Sequence, residues 1–249
     1  MITYDLHVHT CLSPCADDNM TPVKVIDKAV ENGLDVVAIT DHNTIDNLAV
    51  AAEYAEGKIA FVPGIEVESA EEVHVVCLFP DMISAERMAR CVRENMHTRY
   101  NNAKKFGNQN IVDENDKVVD TEEKMLRFPT KMTIEEIFYV AKQMHGVAFY
   151  AHVESKGYSV LSVLGALPAR PQAKALEFTN NEKGRAFAEK QGNRYKKLFI
   201  YSSDAHRLED INTKENSADL EEFADVIRDE NGAVTAQGVI DWIRSYDGV

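Results

Sequence analysis

The chain holds eight histidines, and six of them stand in short motifs suited to metal ligation. His7 and His9 form an H-x-H pair within Asp5-Leu6-His7-Val8-His9. Two residues apart on an extended chain, their rings point to one side. His42 follows Thr40-Asp41, Glu66 closes an apolar run after Pro63-Gly64-Ile65, and His74 stands early in the next run. His152 follows Phe149-Tyr150-Ala151, and Asp204 and His206 share Ser202-Ser203-Asp204-Ala205-His206. Imidazole and carboxylate together suit divalent Zn, Mn or Fe. Each motif alone is commonplace. Jointly, nearly all fall at the ends of strand-like runs, where a barrel gathers its active site. Satisfied polar residues at strand ends would leave that placement unexplained. His97 and His145 fall in helical patterns and read as surface or structural.

The strand-like runs are Met1–His7, Asp35–Thr40, Ile59–Val67, Glu72–Phe79, Gly146–Ala151, Ala173–Phe178 and Lys197–Ser202. They are short and rich in Val, Ile, Phe and Tyr, as buried parallel strands are. Helical patterns lie between them. Thr21-Pro22 opens the first, with Thr as N-cap and Pro in the first turn, and Gly33 ends it. Thr44–Glu56, Ser84–Arg99, Thr133–Met144, Asn181–Gln191, Leu220–Arg228 and Ala236–Ser245 follow, and Thr133-x-x-Glu136 is a capping box. Seven strands with intervening helices predict an α/β fold, a distorted seven-stranded (β/α) TIM-like barrel, as one domain over residues 1–249. The polar stretch Asn101–Thr130, with a hairpin turn at Asp113–Asp116, is an expected excursion forming a lid or rim.

Composition bounds the function. Lys plus Arg total 27 and Asp plus Glu total 41, a net charge of −14. That balance disfavours a protein that grips long nucleic acid by phosphate neutralisation. No stretch approaches the roughly 18 apolar residues of a membrane span, and Met1–Thr10 lacks the basic flank and apolar run of a signal peptide. The four cysteines include Cys77 in an apolar run, and a reduced, cytoplasmic setting is the simplest expectation. Cys11 and Cys15 are read as packing thiols in preference to soft ligands or a redox pair.

The motifs in this order resemble the PHP (polymerase and histidinol phosphatase) superfamily of metal-dependent phosphoesterases, closest to stand-alone bacterial members carrying Cys11-Leu12-Ser13-Pro14-Cys15. The resemblance implies a distorted seven-stranded barrel with two or three divalent ions at the C-terminal strand ends. One ion would take His7, His9, Glu66 and Asp204. A second would share Glu66 and take His74 and His152. A third would take His42, His206 and a residue of the loop after the first strand, with Asp17 the choice and Asp18 the alternative.

Two cations about 3.5–4 Å apart can hold a bridging hydroxide that attacks phosphorus. Glu66, Asp41 and His206 are the candidate catalytic residues, Glu66 as bridge and Asp41 as orienter of His42 or as a helix N-cap. Lys156, Arg170 and Arg207 are candidate phosphate contacts. The expected partner is a small phosphorylated substrate, a metabolite or nucleotide, with no long nucleic acid and no membrane. The alternatives are a nuclease or nucleoside bisphosphate phosphatase acting on short oligonucleotides, and a non-catalytic metal-binding protein.

Overall fold

A computed structural model describes residues 1–191 and 194–246. The strands are β1 (Tyr4–Val8), β2 (Val36–Ile39), β3 (Ala60–Glu68), β4 (His74–Leu78), β5 (Asn110–Val112), β6 (Val118–Thr121), β7 (Val147–Tyr150), β8 (Ala175–Thr179) and β9 (Leu198–Ser202). The α-helices are α1 (Pro22–Glu31), α2 (Leu48–Ala55), α3 (Met82–Asn95), α4 (Ala103–Phe106), α5 (Ile134–Gln143), α6 (Val160–Leu164), α7 (Glu182–Gln191), α8 (Ala224–Ile227) and α9 (Ala236–Ser245). Seven strands form one sheet in the order β1-β2-β3-β4-β7-β8-β9, and β5 and β6 pair separately as a hairpin. The sheet curls into the expected distorted TIM-like barrel. No helix among the described residues is long and apolar enough to cross a membrane.

One strand departs from the all-parallel expectation. β4 is antiparallel to both β3 and β7. Only residues 69–73 separate β3 from β4, too few for the crossover of a dozen or more residues that parallel neighbours need. The reversal puts His74, the first residue of β4, at the same barrel end as the last residues of the parallel strands.

The β9–β1 seam closes by side chains more than by a backbone ladder. The Tyr201 N–H donates to the Tyr4 hydroxyl at 3.1 Å, and the Ser203 and Asn212 N–H groups donate to the Asp5 carboxylate at 3.0 Å each. Burial pushes the Asp5 carboxyl up to about 6 despite those bonds. Beyond the seam, the His9 N–H donates to the Ala205 carbonyl at 3.0 Å.

Alternate strand residues divide the apolar core. Val37, Ile39, Ile65, Val67, Val75, Cys77, Leu176 and Phe178 face outward, under α1, α2, α3, α5 and α7. Ile2, Tyr4, Leu6, Val36, Val62, Val76, Phe149 and Ile200 fill the interior, and Ile240, Trp242 and Ile243 of α9 plug its N-terminal end. Helix boundaries differ modestly from expectation. α2 begins at Leu48 because Asn43–Asn47 form a turn beside the site, and α8 shrinks to one turn preceded by a 3-10 turn. The capping box on α5 is present.

Candidate metal centre

A register shift in β1 decides which way the H-x-H pair faces. Leu6 packs inside the barrel and Val8 outside, so the inside-outside alternation slips between them. The pairing to β2 is irregular between Asp5 and Val8, where three steps on β1 span the two from Val37 to Ile39. This bulge turns His7 inward beside Leu6, and His9 with it. Regular alternation would have aimed both rings at the outer helices.

Other junctions reinforce the convergence. His152 and Asp204 have φ of +29° and +52°, just past β7 and β9. The left-handed region is costly for residues with a Cβ, by about 1–3 kcal/mol each. Here it swings the side chains back over the barrel mouth. Gly64 lies one alternation below Glu66, where a Cβ would stand 2.6 Å from the Thr40 methyl and 2.8 Å from Leu78.

The side chains meet around Glu66, which is fully buried. Its Oε1 lies 2.9 Å from His74 Nδ1, 3.3 Å from His152 Nε2 and 3.4 Å from His7 Nε2; its Oε2 lies 2.8 Å from His42 Nδ1 and 3.5 Å from His9 Nε2. Asp204 Oδ1 is 3.4 Å from His7 Nε2 and 3.2 Å from His9 Nε2. Neither Glu66 oxygen makes a hydrogen bond of good geometry. Imidazoles surround this buried carboxylate without forming well-aligned hydrogen bonds, an arrangement that a cation held among them would complete.

Hydrogen bonds behind the rings set their tautomers. His7 Nδ1 donates to Glu177 Oε2 at 2.8 Å. His9 Nδ1 donates to Ser13 Oγ at 2.9 Å, whose hydroxyl donates to Asp41 Oδ1 at 2.6 Å. Both Nε2 atoms are then lone-pair donors, yet they stand 3.1 Å apart. Two lone pairs cannot bond each other, but both can bind one cation, in the arrangement by which carboxylates hold metal-binding histidines. The excess of acid draws protons instead: burial disfavours the His7 and His74 imidazolium ions, but Glu177, Glu66 and Asp204 hold His7 well above its usual range, and Glu66 and Glu68 raise His74 to about 9. Burial and the neighbouring His206 and His42 rings push His9 well below its ordinary value. Glu66 and Asp204 are held well below the usual carboxylate range, as the surrounding imidazoles outweigh burial.

Of the nine expected ligands, His7, His9, His42, Glu66, His74, His152, Asp204 and His206 converge. Asp17 does not. Its N–H donates to the His206 carbonyl at 3.0 Å, and its exposed carboxylate turns to Arg207 at 3.8 Å. Asp18 is likewise outside, held by the Asn108 and Asn110 amides. The position between His42 and His206 belongs to Cys15, whose sulfur is 3.3 Å and 3.1 Å from their Nε2 atoms. Burial pushes its thiol up to about 12. Cys11 packs as expected, its thiol against Asn47 and the Asn110 carbonyl.

Asp41 is neither an orienter of His42 nor an N-cap. It is buried away from the cavity, accepts from Thr10 and Ser13, and steadies His9 through Ser13, while Asn47 precedes α2. Arg170 is exposed, and Pro171 beside it lines a separate cavity at the N-terminal barrel end with Gly146, Val147 and Arg244. Lys156 is exposed on the loop after His152, between two cavity-lining residues, Ser155 and Gly157. Arg207 is spent on Asp17. His97 and His145 are exposed just past α3 and α5.

Sequence reasoning missed Glu177, Arg127 and Tyr158. Glu177 also accepts the His152 N–H at 3.1 Å; an acid inside the apolar run Ala175–Phe178 was its available signal. Arg127 comes from the excursion and lines a cavity of about 190 Å³ together with Cys15, Glu66, Tyr158 and Thr179. The Tyr158 ring stacks on His74 at 4.8 Å, with the Arg127 guanidinium 5.4 Å from it. The excursion forms a rim: Asn43 donates to the Leu126 and Phe128 carbonyls, and a Cβ at Gly107 would collide with the Pro14 carbonyl.

Comparison with known proteins agrees with this geometry. The chain is 34% identical over 87 residues to the 5'-3' exoribonuclease Rnm of Escherichia coli strain K12, covering 32% of this chain and 29% of that protein. It is 38% identical over 82 residues to a 3',5'-nucleoside bisphosphate phosphatase of Chromobacterium violaceum, covering 31% and 28%. The matches thus span under a third of these relatives. The fold is similar to the lesion-specific endonuclease PfuEndoQ of Pyrococcus furiosus, with a TM-score of 0.59 and 17% identity over 83% of this chain and 49% of that one. A family profile described as PHP domain matches residues 5–227, a span that contains all of the converging candidate ligands, and this chain belongs to that family.

Proposed function

We propose that this protein is a metal-dependent phosphoesterase that removes phosphate from a small phosphorylated metabolite or nucleotide. The observation that supports it best is the convergence of the His7 and His9 Nε2 atoms, 3.1 Å apart, on a buried Glu66 whose oxygens make no hydrogen bond of good geometry. In this reading His7, His9, Glu66 and Asp204 hold one ion, and Glu66, His74 and His152 hold a second. Bound Zn, Mn or Fe supplies Lewis acidity, activating water and neutralising phosphoryl oxygens.

The protein's own groups do the rest. Glu177 and the Ser13–Asp41 relay keep His7 and His9 in the ligating tautomer. Glu66 offsets cationic charge at the centre of the site. Arg127 offers a guanidinium to a phosphate oxygen from the rim, in the position Lys156, Arg170 and Arg207 were expected to fill. A cavity of about 190 Å³ is below the roughly 300–1,000 Å³ of sites that enclose a whole organic ligand. It suits a phosphoryl group held inside with its leaving group lying across the rim. That geometry also supports the second reading, an exonuclease or bisphosphate phosphatase working on short oligonucleotides. The exoribonuclease relative favours it, and the net charge, which weighs against long nucleic acid, leaves short oligonucleotides open. No cysteine among the described residues is in a disulfide, which supports the reducing, cytoplasmic setting within this proposal.

The test is phosphate release from p-nitrophenyl phosphate and a nucleoside 3',5'-bisphosphate, and mononucleotide release from a 5'-phosphorylated RNA trimer, each with Zn, Mn or Fe(II) added after chelation. Metal-dependent turnover that is lost in His9→Ala and Asp204→Ala supports the proposal. Turnover unchanged in both variants sinks it, and the preferred substrate separates the two readings.

A further inference from the structure

The two N-terminal cysteines occupy different surroundings, although only four positions separate them. Cys11 turns away toward Asn110 and Asn47, so no disulfide joins it to Cys15. Cys77 shows a packing thiol here, buried in the apolar layer under the outer helices. Cys15 instead faces two imidazole nitrogens.

The hydrogen bonding around Cys15 is incomplete as a protein-only network. His206 Nδ1 donates to the Asp204 carbonyl at 2.8 Å, so His206 Nε2 points a lone pair at the sulfur. His42 Nδ1 is buried and makes no hydrogen bond of good geometry, although Glu66 Oε2 lies 2.8 Å away. With the His42 proton on Nδ1, facing the Glu66 carboxylate 2.8 Å away, His42 Nε2 presents a second lone pair to the sulfur, and a thiol with one proton serves one such nitrogen, not two. The nitrogens of His9, His42 and His206 also gather within 4.8 Å of one another. The loop is fixed, since the Asp17 N–H bonds the His206 carbonyl and Asp41 accepts from Thr10 and Ser13.

We infer that Cys15, as a thiolate, joins His42 and His206 to bind a borderline-soft divalent ion such as Zn2+, in place of the carboxylate expected at Asp17. The inference rests on the metal-centre reading above and refines it. On ion uptake the Cys15 S–H bond gives its proton to water and the sulfur lone pair goes to the cation. Thiolate selects Zn2+, Fe2+ or Co2+ over Mn2+ and Mg2+, so the third site differs in metal preference from the two N/O sites beside it.

Co2+ alone, titrated into the metal-free full chain, reads the assignment directly. The expected result is a sulfur-to-cobalt charge-transfer band in the near ultraviolet beside the visible d–d bands. Cys15→Ser should lose the first and keep the second. Cys15→Asp should keep the third cobalt equivalent without the charge-transfer band, confirming that the position and not the fold is at issue. Visible bands with no sulfur band in the wild type, or a sulfur band that persists in Cys15→Ser, overturns the Cys15 assignment alone. No cobalt spectrum in any variant overturns the whole metal-centre reading, and this one with it.

Discussion

The two ends of the barrel bury side chains equally well and to opposite effect. Trp242 is 2% exposed and Glu66 is 0% exposed. At the N-terminal end, Trp242 packs at a tilt against Tyr4 and Phe223, with ring centroids at 5.9 Å and 5.8 Å, among Ile2, Leu6 and Val36. Each apolar Å² removed from water there stabilises by about 25 cal/mol. At the C-terminal end, burial isolates carboxylates and imidazoles from water, which costs stability unless a cation pairs them. Apolar packing is concentrated at one end and the candidate metal-binding groups at the other, with interior Val, Leu and Phe residues between them.

Three substitutions probe that division. Trp242→Ala should cost about 3–5 kcal/mol, seen as a lower urea midpoint, while the folded fraction binds the same number of ions. A large loss of ion binding in folded protein would show that the ends are coupled. Glu66→Gln should do the reverse. Phosphate release should fall on the order of 10²–10³-fold, and the folded protein should bind fewer ions in the same titration. Glu177→Gln should weaken metal affinity about 10–100-fold, measured by competition with a chelating dye, because His7 loses the acceptor that sets its tautomer.

The smallest effect lies outside both ends. Glu136 closes the capping box on α5, and the Thr133 N–H holds its carboxyl below the ordinary 4.5. A lowered folded pKa means that this stabilisation is present above 4.5 and is lost as pH falls through the folded value. Glu136→Gln should therefore lower the urea midpoint slightly at neutral pH, and the gap should close in acid. A gap that widens in acid would contradict the sign.

Much was legible before folding because it is local. The order of barrel strands and the Thr21-Pro22 and Thr133 caps follow from periodicity and side-chain chemistry, and eight of the nine candidate ligands implied by the family resemblance converge on one place. The reversal of β4 was also readable in principle, since five residues after Glu68 cannot cross a sheet. Other decisions depend on residues distant in sequence. The β1 bulge that turns His7 inward exists only against β2. Glu177 becomes the partner of His7 across 170 positions, and nothing in Ala175–Phe178 names that partner. Cys15 displaces Asp17 because a backbone bond to His206 turns one side chain in and the next but one out. Composition and spacing set which atoms can ligate; which of them point at each other is set by register, bulges and loop anchoring, which arise from hydrogen bonds between segments and so appear only when the chain closes on itself.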